Sequence, residues 1–182
     1  MTTVLSVPPT GSAAAMRLRP WRMDDLPALV AAHRDPVLRR RLTTSLTGEA
    51  DARHWLEAQA AGWVSATRFG FAVVADEDDR TPFGHVGVRA VTAGVAEVGY
   101  WTAAPVRGRG IAARALEIAS QWALHTQHLV RLTRLDLLHA EDNRASCRVA
   151  EKCGYVLRDL LPPAPPAFPA DGHRHVRMPR GN

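Results

Sequence analysis

Between Val98 and Ala113 a strand-like stretch leads through a glycine loop into a helical pattern, and this run holds the residues best suited to chemistry. Pro105 turns the chain after Trp101, and Gly108 and Gly110 remove the Cβ atoms that would hold a ligand away from the backbone. From Ile111 onward, Ile111, Ala115, Ile118, Ala119, Trp122 and Ala123 recur at helical spacing, which sets the loop at a helix N-terminus with unpaired amides. Such an end attracts phosphate, because the N–H groups and the helix dipole both face the negative charge. No third glycine stands at dinucleotide-fold spacing and no Gly-Lys-Ser/Thr follows, so neither a Rossmann site nor a nucleoside triphosphatase loop fits.

The flanking residues must supply the elements that hold this loop. Residues 17–21 alternate as a first strand, and Asp24 caps a helix to about Arg34 with Leu26, Leu29, Val30 and His33 on one face. Asp35-Pro36 starts a short helix to Leu42, and Thr47 opens another in which Ala52, Trp55, Leu56, Gln59, Ala60 and Trp63 trace a core-facing stripe. Residues 69–75, 83–91 and 95–101 read as an antiparallel meander. The helix after the glycine loop runs to about Gln127, and 131–138 forms a strand that returns parallel to the one ending at Trp101. Asn143 caps a further helix that Gly154 ends; 155–160 is a strand, 162–172 a proline-rich loop and 173–178 a last short strand. The class is α/β in the α+β sense, with no internal repeat.

The 182 residues, 46% hydrophobic, suffice for one domain, placed at 16–182, while the small polar stretch 1–15 reads as a disordered tail. The formal charge of +5 comes from 23 Lys and Arg against 18 Asp and Glu, and Lys152 is the single lysine. No basic block interleaves with aromatics, so DNA is not an expected partner and RNA or ribosome docking is the weaker reading. Cys147 and Cys153 have the spacing of neither a zinc site nor a redox pair, which suits a reducing cytoplasm. His173 and His175 alternate near the end, but two ligands without a nearby Cys or third His point to solvated histidines and no metal. The start lacks a signal-peptide pattern, and no run nears the roughly 20 apolar residues of a membrane span.

Arg107, Gly110 and Ala112 match a pattern of Arg or Gln, two residues, Gly, one residue, then Gly or Ala. That pattern resembles the signature of the GNAT superfamily of acyl-CoA-dependent N-acetyltransferases. Asn143-Arg144-Ala145-Ser146 followed by Glu151-Lys152-Cys153-Gly154-Tyr155 is similar to a second segment of the superfamily. Leu18-Arg19-Pro20-Trp21 with Asp24-Asp25-Leu26 resembles the opening of the ribosomal-protein N-terminal acetyltransferase branch, and the likeness runs from about Arg17 to about Arg158.

The resemblance implies a single GNAT-like domain: a mixed, mostly antiparallel central sheet, splayed parallel strands at its centre, and flanking helices. It implies acetyl-CoA as cosubstrate, its diphosphate on the main chain of Arg107, Gly108, Arg109, Gly110, Ile111, Ala112 and Ala113. Trp101, Thr102 and Ala103 would offer backbone groups to the pantetheine arm like an added strand. Acetyl transfer would be direct to an amine, either a protein or peptide α-amine or a small-molecule amine such as an amino acid or antibiotic. A homodimer stays open.

Glu97 shares a face with Gly99 and Trp101 and is the candidate base, directly or through water; a salt bridge to an arginine is the competing reading. Asn143, Ser146, Val149, Ala150 and Cys153 share one helix face expected to meet the coenzyme. Ser146 is the candidate at the thiol, while Asn143 either bonds the pantetheine region or serves only as a cap. Many members carry a tyrosine acid where this chain has Ala150, so Ser146, Tyr100, Tyr155 or water must serve the leaving thiolate. That departure keeps a non-catalytic acyl-CoA-binding module in play. Cys147 is turned about 100° from Ser146 and reads as a packing residue. Trp55, Trp63 and Trp101 either line an acceptor pocket or fill the core, the core being favoured for the first two.

Overall fold

The structure, a computed structural model, describes residues 3–44, 46–165 and 169–179. Thirteen principal elements follow in chain order: β1 (Leu5–Val7), β2 (Met16–Pro20), α1 (Leu26–His33), α2 (Pro36–Arg41), α3 (Glu49–Val64), β3 (Arg68–Ala75), β4 (Gly84–Thr92), β5 (Gly94–Thr102), α4 (Ile111–Gln121), β6 (Leu132–Ala140), α5 (Arg144–Lys152), β7 (Val156–Leu161) and β8 (Gly172–Arg177). The eight strands form one sheet in the order β1-β2-β3-β4-β5-β6-β8-β7, with β5 and β6 the parallel pair and every other neighbour antiparallel. This is the mixed α+β sheet the resemblance implies.

Period-two alternation divides the core between the two faces. Phe69, Phe71, Val86, Val88, Ala96, Val98, Leu135 and Leu137 pack with Ile111, Leu116, Ala119 and Ala150, which places α4 and α5 on one face. Ala72, Val74 and Trp101 pack with Trp21, Leu29, Leu38 and Leu56 from the α1–α3 side. Arg19 joins the edge of this second layer to the sheet: its guanidinium donates to both carboxylate oxygens of Asp25 at 2.8 Å, and the pair is buried. A buried bidentate pair explains the Arg19 and Asp25 of the opening motif in physical terms.

Several expectations need correction. The stretch 1–15 is not wholly a tail: Leu5, Ser6 and Val7 pair with Leu18, Arg17 and Met16, and Val7 is buried, because even a three-residue edge strand can cover the apolar side of β2. A short 3-10 turn, Met23–Asp25, precedes α1, so Asp25 and not Asp24 stands at its N-cap. On α3, Gly62 is buried while Ala60 is exposed. The helix after the glycine loop is regular only to Gln121 and continues as a π turn, Trp122–Thr126. The final strand enters between β6 and β7. Part of the proline-rich stretch, 166–168, lies outside the described residues. Among the described residues no helix is long and apolar enough to cross a membrane.

Candidate active site

β5 and β6 part company at the middle of the sheet. Their parallel pairing runs from Gly94↔Leu132 to Val98↔Leu137 and then stops. Beyond it β5 stays on β4 as far as Gly84↔Thr102, and β6 stays on β8 as far as Ala140↔Gly172. Among the described residues, the edge of β5 from Gly99 to Thr102 that faces β6 therefore has no strand against it. An extended ligand arm can use such an edge as a sheet uses a new strand.

The glycine loop lies at the end of that gap. Gly108 and Gly110 have φ of 77° and 73°, in the left-handed region that side chains disfavour, and a Cβ built on either meets nothing within 4 Å. Their absent side chains leave open space above the backbone. Gly110 is the N-cap of α4 and provides no side-chain cap, so the first-turn amides stay exposed to a ligand. Among the described residues, no N–H from 108 to 113 donates to a backbone or side-chain acceptor outside the helix. The Arg107 side chain is engaged within the protein. Its Nε donates to the Thr102 carbonyl at 3.1 Å and its Nη2 pairs with Asp35, the N-cap of α2, so the side chain ties the loop to the end of β5.

α5 closes the opposite side. Asn143 caps it, its Oδ1 accepting the Ser146 amide at 3.3 Å, which gives Asn143 the structural job. Ser146 is half-buried on the same face, and Cys153 Sγ reaches the Ala113 carbonyl at 3.2 Å, joining α5 to the first turn of α4. Tyr100, alternating onto this face from β5, brings its hydroxyl beside Ser146. That hydroxyl is buried and has no aligned hydrogen-bond partner, and burial, opposed by the neighbouring Ser146, pushes its pKa up to about 12. Tyr155 is excluded from this role, because its hydroxyl is bonded to Ser120 Oγ at 2.7 Å inside the core. Of the two tyrosines that could replace the missing one, Tyr100 is the one the fold brings to the gap, beside Ser146.

On the α1–α3 face, β4 and β5 present three cross-strand rungs: His85↔Trp101, Gly87↔Gly99 and Arg89↔Glu97. Glu97 is paired with Arg89, the competing reading of this residue. The middle rung is bare backbone, and a Cβ on Gly99 would meet nothing within 4 Å. The first rung belongs to an aromatic cluster: Trp21 and Trp55 meet edge to face at 5.3 Å, Trp55 lies 5.4 Å from His85, and His85 stacks on Trp101 at 6.2 Å. Trp21 Nε1 donates to His85 Nδ1 at 3.0 Å, which leaves the neutral ring's proton on Nε2. Burial lowers the His85 pKa to about 3, so the ring is a donor and not a base near neutral pH. His85 carries no motif in the sequence, and only the strand register exposes its position. Trp63 packs on Phe69, Phe71 and Trp122, away from the bare rung. His173 and His175, expected in solvent, are buried at 7% and 2% exposure.

Comparison with known proteins agrees with this geometry. The family model described as an acetyltransferase (GNAT) domain matches residues 15–156. No curated protein matches the chain. Among solved structures, one described as a putative ribosomal-protein-serine acetyltransferase from Vibrio cholerae is 24% identical, covers 90% of this chain and 94% of its own, and has a TM-score of 0.75. RimJ from Mycobacterium smegmatis, in complex with a coenzyme A disulfide, is 21% identical, with 97% and 86% covered and a TM-score of 0.79. RimL, a ribosomal alpha-N-protein acetyltransferase solved with coenzyme A, is 17% identical, with 95% and 97% covered and a TM-score of 0.79. The open loop amides, the unpaired edge of β5 and the family match lead to one conclusion: the chain belongs to the GNAT family and is an acyl-CoA-dependent N-acetyltransferase that uses acetyl-CoA.

Proposed function

We propose that the acceptor is the N-terminal α-amine of a protein or peptide, which reaches the thioester across the bare Gly87–Gly99 rung from the α1–α3 side. The observation that carries this reading is the state of the proton acceptors on that face. Glu97 is held by Arg89, its cross-strand neighbour Asp136 by Arg134, His33 is pushed below its ordinary pKa by burial, and His85 is neutral with its Nδ1 occupied, so no strong base faces the incoming amine. An α-amine with a pKa near 8 is about one-tenth neutral at pH 7, whereas a lysine near 10.4 is neutral in only about one molecule in 2,500. The weaker acid demands a stronger base than this face provides. Glu97 takes the α-amine proton through water, Tyr100 hydrogen-bonds the departing sulfur from the other face, and Ser146 holds the helix surface beside it. The ribosomal-protein acetyltransferases among the structural neighbours support the same class of acceptor.

Release of free thiol from acetyl-CoA tests the proposal. A short peptide with a free N-terminus should exceed its N-formylated counterpart carrying an internal lysine by at least about 100-fold in kcat/KM, following the difference in neutral amine. Faster turnover of the blocked lysine peptide, or of free amino acids, would overturn it.

A further inference from the structure

Under α5, on the face away from the acceptor rungs, the side chains of His139, Cys147, His173 and His175 place one ligand atom each within 4.8 Å of all the others. The strand order creates this cluster. Because β8 lies directly on β6, His139 is paired with His173, and His175 follows two residues along the same face; Cys147 descends from α5 above them. Ring centroids are 5.1 to 5.9 Å apart. His139, His173 and His175 are all more than nine-tenths buried.

Hydrogen bonding leaves the cluster unfinished. His139 Nδ1 donates to the Ala140 carbonyl at 2.8 Å, which fixes the tautomer and leaves Nε2 as a bare lone pair, buried and without a partner. Both ring nitrogens of His175 are likewise buried and unpartnered, and Cys147 Sγ lies 3.4 Å from His173 Nδ1. Buried nitrogens rarely go unmatched, and unmatched nitrogens converging on one thiol call for a shared partner.

We propose that His139, His173, His175 and Cys147 bind a zinc ion in a closed tetrahedral site that fastens α5 to the β6–β8 ladder. Zinc takes nitrogen and sulfur ligands at about 2.0–2.1 and 2.3 Å, which makes the edges of the tetrahedron about 3.3–3.6 Å. The Cys147–His173 edge already has that length, and small side-chain rotations bring in the rest. On binding, Cys147 releases its thiol proton to solvent, sulfur and three imidazole nitrogens each donate a lone pair, and the ion sheds its water. No electron transfer is involved. A cleft of about 480 Å³ lined by Arg144, Glu151, Cys147, His173 and His175 opens the cluster to solvent, and the Glu151 carboxylate there favours an arriving cation. Four protein ligands leave no position for a reactive water, so the ion is structural. Cys147 follows Ser146 directly, and the ion therefore holds the helix face that meets Tyr100.

The test uses untagged full-length protein, stripped with a chelator and titrated with zinc chloride against a chromogenic chelator. One equivalent of zinc should bind, and cobalt(II) in its place should show the intense tetrahedral d–d bands and a sulfur-to-cobalt charge-transfer band. Loss of an outer partner alone weakens a metal site by about 10–100-fold, so Cys147→Ala should lower zinc affinity by at least about 100-fold and abolish the charge-transfer band. Zinc should raise the melting temperature of the native protein by about 5 °C and leave that of Cys147→Ala unchanged. His175→Gln should weaken binding similarly; should it fail to fold, Cys147→Ala, a half-exposed helix position, decides the matter. Sub-stoichiometric zinc, or equal affinity in the native protein and Cys147→Ala, would overturn the proposal.

Discussion

The glycine loop ahead of α4 and the histidine cluster beneath α5 both leave polar groups without protein partners, yet they are made of opposite materials. In the loop the unmatched groups are main-chain N–H donors, held outward by Gly108 and Gly110 with nothing above them. In the cluster they are side-chain lone pairs turned inward among buried rings. The first arrangement attracts an anion and the second a cation, and α5 touches both through Cys153 on the Ala113 carbonyl and Cys147 at His173. Open donors at a surface suit a cosubstrate that must come and go, while enclosed acceptors suit an ion that stays.

The largest effect should come from breaking the loop. Gly110→Glu puts a side chain and a negative charge at the N-cap of α4, where the open amides and the dipole would meet a diphosphate. Calorimetry should show coenzyme A affinity lower by at least about 100-fold, with zinc uptake unchanged. Gly110→Ala is the control for backbone strain at φ of 73°, which costs about 1–2 kcal/mol whatever the charge. Equal losses from the two substitutions would mean that strain, and not an anion seat, explains the glycine.

A smaller loss is expected from Glu97→Gln, with a shape that identifies its cause. At pH 6.5 only about one α-amine in thirty is neutral, and by pH 9 most are. Removing a proton acceptor should therefore cut turnover by about 30-fold at pH 6.5 and by no more than about twofold at pH 9. Parallel pH profiles for the two proteins would reduce Glu97 to the partner of Arg89.

Contiguity explains how much of this was legible in the sequence. The loop is built from neighbouring residues whose types dictate their conformation, so Pro105, Gly108 and Gly110 announce the turn and the spacing from Ile111 to Ala123 the helix that follows. The meander and its parallel return were readable from alternation for the same reason. The histidine cluster draws residues from β6, α5 and β8, and only the insertion of β8 beside β6 brings His139 to His173. A count of nearby ligands along the chain could not see it. His85 is hidden in the same way, since its importance comes from standing across from Trp101 and under Trp21. β1 is not legible in the sequence, because three residues carry too little periodicity to show as a strand.

Tyr100→Phe should give the smallest of the three effects and the one with no pH signature. Its hydroxyl titrates near 12, so it remains protonated throughout any practical assay and acts by hydrogen bonding, not by transferring its proton. A thiol of pKa about 8.5 is the stronger acid by several units, which makes full proton transfer from the phenol to the thiolate unfavourable. Hydrogen bonds to charged groups contribute about 1.5–3 kcal/mol, and the sulfur carries only part of its final charge at the barrier, so a loss of about tenfold in kcat is expected. That factor should be constant from pH 6 to pH 9, with KM for acetyl-CoA unaltered, in contrast to the sloping loss of Glu97→Gln. A Tyr100→Phe loss that shrinks at high pH would instead assign Tyr100 a proton to give, since its own ionisation would then disarm the native enzyme, and would require its pKa to lie well below the value that burial on β5 imposes.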